Sequence, residues 1–374
     1  MHLCLAFEYN TRLVSTPSRC ATARAWVDVD LSAVAANAAA LARISGGRLL
    51  PMVKANGYGL GAIAVVGALE PLDPWGYGVA TVDEGAELRR ADVRRPIVLF
   101  TPLLPSWIDR CLEHDIRPSI GDLDALQAWT RRTERPFHLE IDTGMSRSGF
   151  RPDDPALRDA AGVLRDASGW EGVFTHFHSP DRDPAATEQQ WARFTATIDA
   201  LPRRPALVHA ANSAAAITGT RYTADLIRPG IFLYGGGGNP SVSPQPAAAL
   251  RGRVVAVRRL APGDTVSYAA TWRADRTTTI ATVAVGYADG FPRAAGRPRT
   301  MELGGRIVPV AGRVAMDMTM LAVGDDQVVA CGDVATVFGG LLSIEEQARA
   351  AGTTSYELLS SISPRVPRRY GEED

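Results

Sequence analysis

The sequence predicts an α/β chain: an N-terminal (β/α)8 TIM barrel followed by a mainly antiparallel β domain. Three observations carry this. Eight short apolar or β-branched runs fall between residues 49 and 228. Stretches rich in Ala, Leu, Glu and Arg separate them. After Tyr234 the alternation stops, and short turn-separated β runs take over. Strands alternating with crossover helices build parallel sheets, and eight such units favour a closed barrel over an open sheet.

The barrel strands are expected at 49–54, 77–80, 96–100, 116–119, 137–142, 172–177, 206–209 and 225–228. Helices are expected at 83–90, 106–114, 122–130, 155–166 and 187–201. Gly235–Gly238 and the Pro-rich stretch 240–246 then break the pattern, as a connection or surface loop does. The β runs beyond are 253–259, 277–285, 307–310, 318–323 and 334–338, with helices only at 343–351 and 355–361. The expected organisation is an extension over 1–24, a barrel over 25–250 and a β domain over 251–374.

Charge and composition exclude several classes. Forty Lys and Arg against 41 Asp and Glu leave a formal net charge of -1, without the basic excess that binding to nucleic-acid phosphates uses. No run approaches the ~18 apolar residues of a membrane helix. Residues 1–24 hold three Arg and one Glu and read as a poorly ordered extension. Cys4, Cys20, Cys111 and Cys331 lie far apart, in no metal-ligand spacing, and fit a reducing cytoplasm. No metal site is expected.

In a parallel barrel the chemistry sits at the C-terminal ends of the strands. There the first strand ends in Lys54, and Asp142–Arg147 follows the fifth. His176 lies near the end of the sixth, Asn212-Ser213 follows the seventh, and Arg228-Pro-Gly230-Ile231 ends the eighth. A lysine after an apolar run is costly unless partnered. Desolvation lowers its pKa and suits it to Schiff-base chemistry. Ser213 at a helix start and Gly230, which admits close backbone approach, form a phosphate cradle. A Schiff-base lysine, a phosphate cradle and neighbouring arginines together imply pyridoxal 5'-phosphate (PLP), whose ring supplies an electron sink while the protein selects the bond that breaks.

These residues also resemble a known family. Val53-Lys54-Ala-Asn-Gly-Tyr58-Gly is similar to the PLP-lysine motif of alanine racemases. So, in the same order, are segments 142–149, 175–177, 209–215, 227–231, 266–268, 285–290, 315–317 and 362–368. The resemblance implies a PLP barrel, a C-terminal β domain and a head-to-tail homodimer whose sites are completed by the partner. It implies that Lys54 holds PLP and is one catalytic base, with Tyr268, from the other subunit, as the opposite base. Tyr58, Asn212, Ser213, Gly230 and Ile231 are the implied cofactor contacts on the phosphate side. Arg228 would face the pyridine nitrogen, and His176 would lie beside the ring, touching Arg228 and Tyr268. Arg147 would bind the substrate carboxylate, Met316 would add a backbone contact, and Tyr287 would line the entrance. A tyrosine base needs cationic neighbours, because its reference pKa is near ~10; Arg228 and His176 are expected to supply that field.

The chain departs from the family at Gly57 and Leu60, where Ala and His are common, and at three further places. Glu140 stands where a carbamylated lysine is usual, seven residues before Arg147, and is expected to be that arginine's negative partner. Pro364 replaces a phosphate-binding tyrosine, so one contact is lost. His178-Ser-Pro180 follows Thr-His-Phe, where small residues are common, which leaves serine or another small amino acid open as substrate. The expected reaction is L-alanine to D-alanine racemisation in the cytoplasm. The competing readings are a non-catalytic PLP-binding protein of cofactor homeostasis and a barrel-fold amino-acid decarboxylase. Tyr268, Met316 and the long C-terminal part argue against the first. The second uses a β-domain cysteine, and Cys331 lies outside the matching context.

Overall fold

The computed structural model describes residues 22–294 and 298–371, so most of the expected 1–24 extension lies outside the described residues. Strand β1 (Ala25–Val29) comes first. Eight parallel strands follow: β2 (Arg48–Leu49), β3 (Tyr77–Val79), β4 (Ile97–Pro102), β5 (Arg117–Ile120), β6 (Phe137–Glu140), β7 (Trp170–Phe174), β8 (Leu207–Asn212) and β9 (Leu226–Arg228). Their order is β2-β9-β8-β7-β6-β5-β4-β3. A parallel bridge between Met52 and Gly78 joins the two ends and closes the barrel. Gly78 N–H donates to Pro51 O at 2.8 Å, and Gly78 O accepts from Val53 N–H at 2.9 Å. The barrel is the one the sequence predicts.

The first predicted strand is the most altered. Residues 49–54 shrink to the two-residue β2, because Pro51 has no N–H for a ladder and the chain turns at Lys54. The helices start where their caps stand. Thr81 and Glu84 form a reciprocal capping box at helix Val82–Arg90. Asp122 caps Leu123–Arg132, and Asp154, followed by Pro155, opens Pro155–Asp166.

The second sheet is built on β10 (Ala248–Leu260), with β11 (Thr265–Val266) and β12 (Trp272–Arg273) forming a small side ribbon. β13 (Thr278–Val283), β14 (Thr300–Leu303), β15 (Arg306–Pro309), β16 (Thr319–Gly324), β17 (Val334–Phe338) and β18 (Arg368–Tyr370) complete it. β10 pairs antiparallel with β1, β13 and β17, and β1 pairs parallel with β18. The expected start of the barrel at residue 25 is therefore corrected. Ala25–Val29 belongs to the second sheet, and the barrel follows helix Leu31–Ser45. The run Ala-Trp-Val-Asp-Val is buried at four of its five positions. Its alternation alone could not say which sheet would cover it.

The C-terminal segment returns onto the barrel. Arg368 Nε donates to Gly59 O at 2.7 Å and Tyr370 Oη to Leu60 O at 3.0 Å. Helix Ser355–Ser360 lies against the turn after Lys54. A Cβ added at Gly59, where φ is +84°, would sit 2.3 Å from Leu359 O. Gly59→Ala is therefore expected to destabilise the fold by about 2 kcal/mol or more, from left-handed strain plus the clash with backbone. Denaturant unfolding at equilibrium checks this.

Candidate active site

The strand ends open into one cleft of about 680 Å3. Lys54, Tyr58, Arg147, His176, Asn212, Ser213, Arg228, Gly230 and Ile231 line it, so nine predicted site residues meet. Tyr268 and Met316 line a separate cleft, also bordered by Ser267 and Asp317. Tyr287 stands beside it: Tyr287 N–H donates to Ala315 O and Ala288 N–H to Met316 O. Tyr268 and Met316, expected to act on a partner's site, are thus grouped on the β domain with Tyr287, in a cleft separate from that of Lys54 in the same chain.

Lys54 opens a left-handed turn. Ala55, Asn56, Gly57 and Tyr58 all have φ between +52° and +61°, a conformation costing about 1–2 kcal/mol for each non-glycine residue. Partners over-determine it. Glu84 accepts from Ala55 N–H and Ala80 N–H, both at 2.7 Å, and Asn56 Oδ1 accepts from Ala62 N–H at 2.9 Å. The Thr81-x-x-Glu84 pattern was readable as a cap; its second duty to Ala55 was not. Burial lowers the Lys54 pKa, and Arg147 and Arg228 push it the same way against Glu84.

Arg228 is buried at the end of β9 (3% exposed). It donates to Thr175 O at 2.7 Å, His209 O at 2.9 Å and Ala210 O at 3.1 Å. It also meets His209 Nδ1 at 2.9 Å and His176 Nδ1 at 3.4 Å. The rings of Phe174 and Phe100 lie 5.3 and 5.7 Å from Cζ. Arginine only donates, so His209 must accept at Nδ1 and carry its proton on Nε2. His209 Nε2 is 2.8 Å from His138 Nδ1, and His138 Nε2 is 3.1 Å from Glu171 Oε2, which also accepts from Arg117 Nε at 2.8 Å. The donors therefore run in one direction from Arg228 to Glu171. Neither His138 nor His209 was singled out for this site from the sequence. The alternation of His138 and Glu140 on one strand face was the available signal.

Burial and the charges of Arg228, Arg147 and Lys54 push His176 down to about 3. It is a neutral ring and cannot supply the positive field expected of it; that field falls to the arginines. Glu140 is corrected as well. Ser148 Oγ donates to Glu140 Oε1 at 2.9 Å, and no ion pair joins Glu140 to Arg147 among the described residues. Among the described residues Glu140 Oε2 is buried without a partner, and burial raises this carboxyl's pKa. Arg147 is exposed and makes no hydrogen bond among the described residues, so its fork is open to a carboxylate.

The cradle fits an anionic group. Ser213 Oγ accepts from Gly230 N–H at 2.8 Å, and Asn212 Oδ1 caps the short turn Ser213–Ala216 by accepting from Ala215 N–H at 3.1 Å. A Cβ at Gly230 would lie 2.3 Å from Tyr58 Oη, so only glycine leaves that space. The Tyr58 hydroxyl has no protein partner among the described residues, and burial raises its pKa; it stays a proton donor. With Lys54 in the same cleft, this donor set suits a phosphorylated aldehyde.

Comparisons with known proteins point to one family. The alanine racemase N-terminal domain family matches residues 29–238 and the C-terminal domain family residues 247–370. The alanine racemase of Acidiphilium cryptum is 38% identical over 348 residues, 91% of this chain and 97% of that protein. That of Deinococcus radiodurans is 38% identical over 93% of this chain and 99% of its own length. The crystal structure of biosynthetic alanine racemase from Pseudomonas aeruginosa superposes with a TM-score of 0.85 at 37% identity, covering 93% of this chain and 99% of the other.

The buried histidines set a pH dependence. Burial is the main cause lowering His138, His176 and His209. In the unfolded chain they take protons near ~6.5. The unfolded state therefore binds more protons below that pH, and stability falls as pH drops from 7 towards 5.5, by up to about 1.4 kcal/mol per pH unit for each ring. Glu171, held low by His138 and Arg117, acts only in the carboxylate range below this window. Denaturant midpoints measured from pH 7 to 5.5 check it, and His138→Gln is expected to remove about one proton from the slope.

Proposed function

The chain belongs to the alanine racemase family, and from that premise we propose that it interconverts L- and D-alanine with PLP held in the Lys54 cleft. The observation that carries this reading is the cleft itself: a lysine with lowered pKa shares it with an anion cradle and with an arginine that is unpaired among the described residues. PLP, when bound, supplies the ring that delocalises the electrons left by the α-proton. Lys54 would hold its aldehyde carbon, Tyr58, Ser213, Gly230 and Ile231 its phosphate, and Arg228 its ring nitrogen. Arg228, fixed by three carbonyls and the imidazoles of His209 and His176, would leave that nitrogen without a proton, since arginine donates and does not accept.

Arg147 would take the substrate carboxylate in its open fork. That sets the α-proton between two faces. The Lys54 amine removes or returns the proton at Nζ on one face, and Tyr268 does the same at Oη on the other. Tyr268 is 65% exposed on its own chain and shares its surface with the exposed Met316 and Met318. This supports delivery of Tyr268 by a second copy in a homodimer, with Met316 and Tyr287 beside it. The free thiols Cys111 and Cys331 support a cytoplasmic setting, where the product would enter D-alanine biosynthesis.

Holoprotein incubated with L-alanine in D2O is expected to lose both the α-proton signal and the optical rotation. Lys54→Ala should lose both reactions. Tyr268→Phe should slow racemisation by about 10²–10⁴-fold. Mixing and exchanging Lys54→Ala with Tyr268→Ala subunits should restore up to about one quarter of wild-type activity, because half the dimers are mixed and each has one intact site. Absence of recovery under proven exchange overturns the shared site.

A further inference from the structure

We propose that Arg24 is a positioning residue for the site that its β domain completes: it anchors segment 315–317, whose inward carbonyls leave the Met316 N–H facing out towards the substrate carboxylate. The inference rests on the reading that Tyr268 and Met316 serve a partner's cleft. Arg24 ends the expected 1–24 extension, yet its backbone belongs to the sheet. Arg24 O accepts from Arg253 N–H at 2.8 Å, and Ala25 beside it opens β1 in register with Gly252 of β10. From there the guanidinium joins three segments. Nη1 donates to Ala284 O at 2.9 Å, Asp317 O at 3.1 Å and Asp289 Oδ2 at 3.3 Å, and Nη2 donates to Asp289 Oδ1 at 2.7 Å.

The anchored segment has one orientation. Ala315 O accepts from Tyr287 N–H at 3.1 Å, Met316 O from Ala288 N–H at 3.0 Å, and Asp317 O from Arg24. Three successive carbonyls thus point towards the 286–289 turn and Arg24. In a trans peptide the N–H points opposite to the carbonyl across the same bond. The Met316 N–H is therefore turned away from Tyr287, and it has no hydrogen-bond partner among the described residues. Met316 itself lines the Tyr268 cleft. Two of the three carbonyls are held by nearby backbone; only that of Asp317 depends on a side chain from the far end of the sequence. The charges close around Asp289. This fully buried carboxylate also accepts from Arg365 Nε at 2.8 Å and Gly286 N–H at 2.9 Å. Arg365 Nη2 donates in turn to Asp317 Oδ1 at 2.8 Å. Two guanidiniums face two carboxylates, so the cluster is neutral. Without the Arg24 guanidinium, Asp289 keeps Arg365 and Gly286 and is not an unpaired buried charge. What is lost is the donor on Asp317 O and Ala284 O.

The test asks whether the defect travels to the partner. Arg24→Gln holoprotein is expected to keep its Kd for PLP, since Arg24 is not among the residues lining the Lys54 cleft. Its KM for alanine is expected to rise about tenfold with kcat kept, the signature of a weakened hydrogen bond to a charged group that is made equally before and during reaction. An unchanged KM overturns the proposal. Heterodimers isolated by two different affinity tags then locate the effect. Arg24→Gln paired with Lys54→Ala has one live site, served by the intact Arg24 of the Lys54→Ala chain, and is expected to show the wild-type KM. A chain carrying both substitutions, paired with wild type, has one live site served by the altered Arg24 position, and is expected to show the raised KM. A raised KM in both pairs assigns Arg24 to general stability and overturns the positioning role. Exchange of Lys54→Ala with Tyr268→Ala separates the two readings. Recovery there, with a KM that does not follow the β domain, overturns the Arg24 assignment alone. No recovery overturns the shared site and this inference with it. If glutamine also costs PLP binding, Arg24→Lys, which keeps a charge on Asp289 without the planar fork, carries the same comparison.

Discussion

A buried guanidinium organises this barrel. A charge out of water is tolerable only where its donors are satisfied and its field is answered. Arg228 meets that demand with carbonyls of the segments ending β7 and β8. It therefore fixes how three adjacent strand ends sit relative to one another. The same contacts dictate the protonation of the barrel interior. Because Arg228 must donate to His209, His209 must donate to His138, and His138 to Glu171. The interior polar residues are thus one network with one direction. A partly satisfied network at this depth would be worse than an apolar core.

Strain appears at both places that the proposed reaction needs. The turn after Lys54 holds Ala55, Asn56 and Tyr58 at positive φ, and the turn around Tyr268 holds Ser267, Ala269 and Ala270 there. Such residues persist only where the surroundings over-determine them. At Lys54 the surroundings are Glu84, Asn56 and the helix behind Gly59. At Tyr268, Ser267 Oγ donates to Arg313 O at 2.7 Å, and Gly312 leaves room for the Ser267 side chain. Met316 is held from below. A Cβ at Gly286 would lie 2.3 Å from Ala315 O, and Asp289, fully buried, ties Gly286 N–H, Arg24 and Arg365 together. The β domain presents its three residues on a braced edge rather than a free loop.

This explains what could be read from the sequence and what could not. Strand–helix alternation is local, so eight strands and most helices were legible, and strand ends located Lys54, His176, Asn212 and Arg228. The partner of a strand is not local: β1 carries the right pattern for a strand and no mark of the sheet it joins. Electrostatic roles were the least legible. His176 beside two arginines and a lysine looks cationic from composition, yet burial among like charges makes it neutral. Glu140 seven residues before Arg147 looks like its counter-ion, yet the strand turns that carboxyl into the barrel, where Ser148 meets it. Tyr356, which lines the cleft with its ring 6.1 Å from that of Tyr58, carried no signal, because that contact joins distant parts of the chain and exists only after the β domain folds back.

The charge balance of the cleft argues for the kind of molecule it receives. Lys54, Arg147 and Arg228 converge there, and Glu140, the buried carboxyl among them, is itself pushed towards the neutral form. Three cationic groups with so little answering charge repel one another, which adds to the burial that lowers Lys54. The imbalance is relieved by a ligand carrying two separate negative groups, one for the cradle and one for the Arg147 fork. A phosphorylated aldehyde joined to an amino acid carries both. A single small anion would answer only one end and leave the other open. The same repulsion that joins burial in lowering the lysine thus favours the ligand that uses it, so the pKa of the lysine and the selectivity of the cleft share a physical cause.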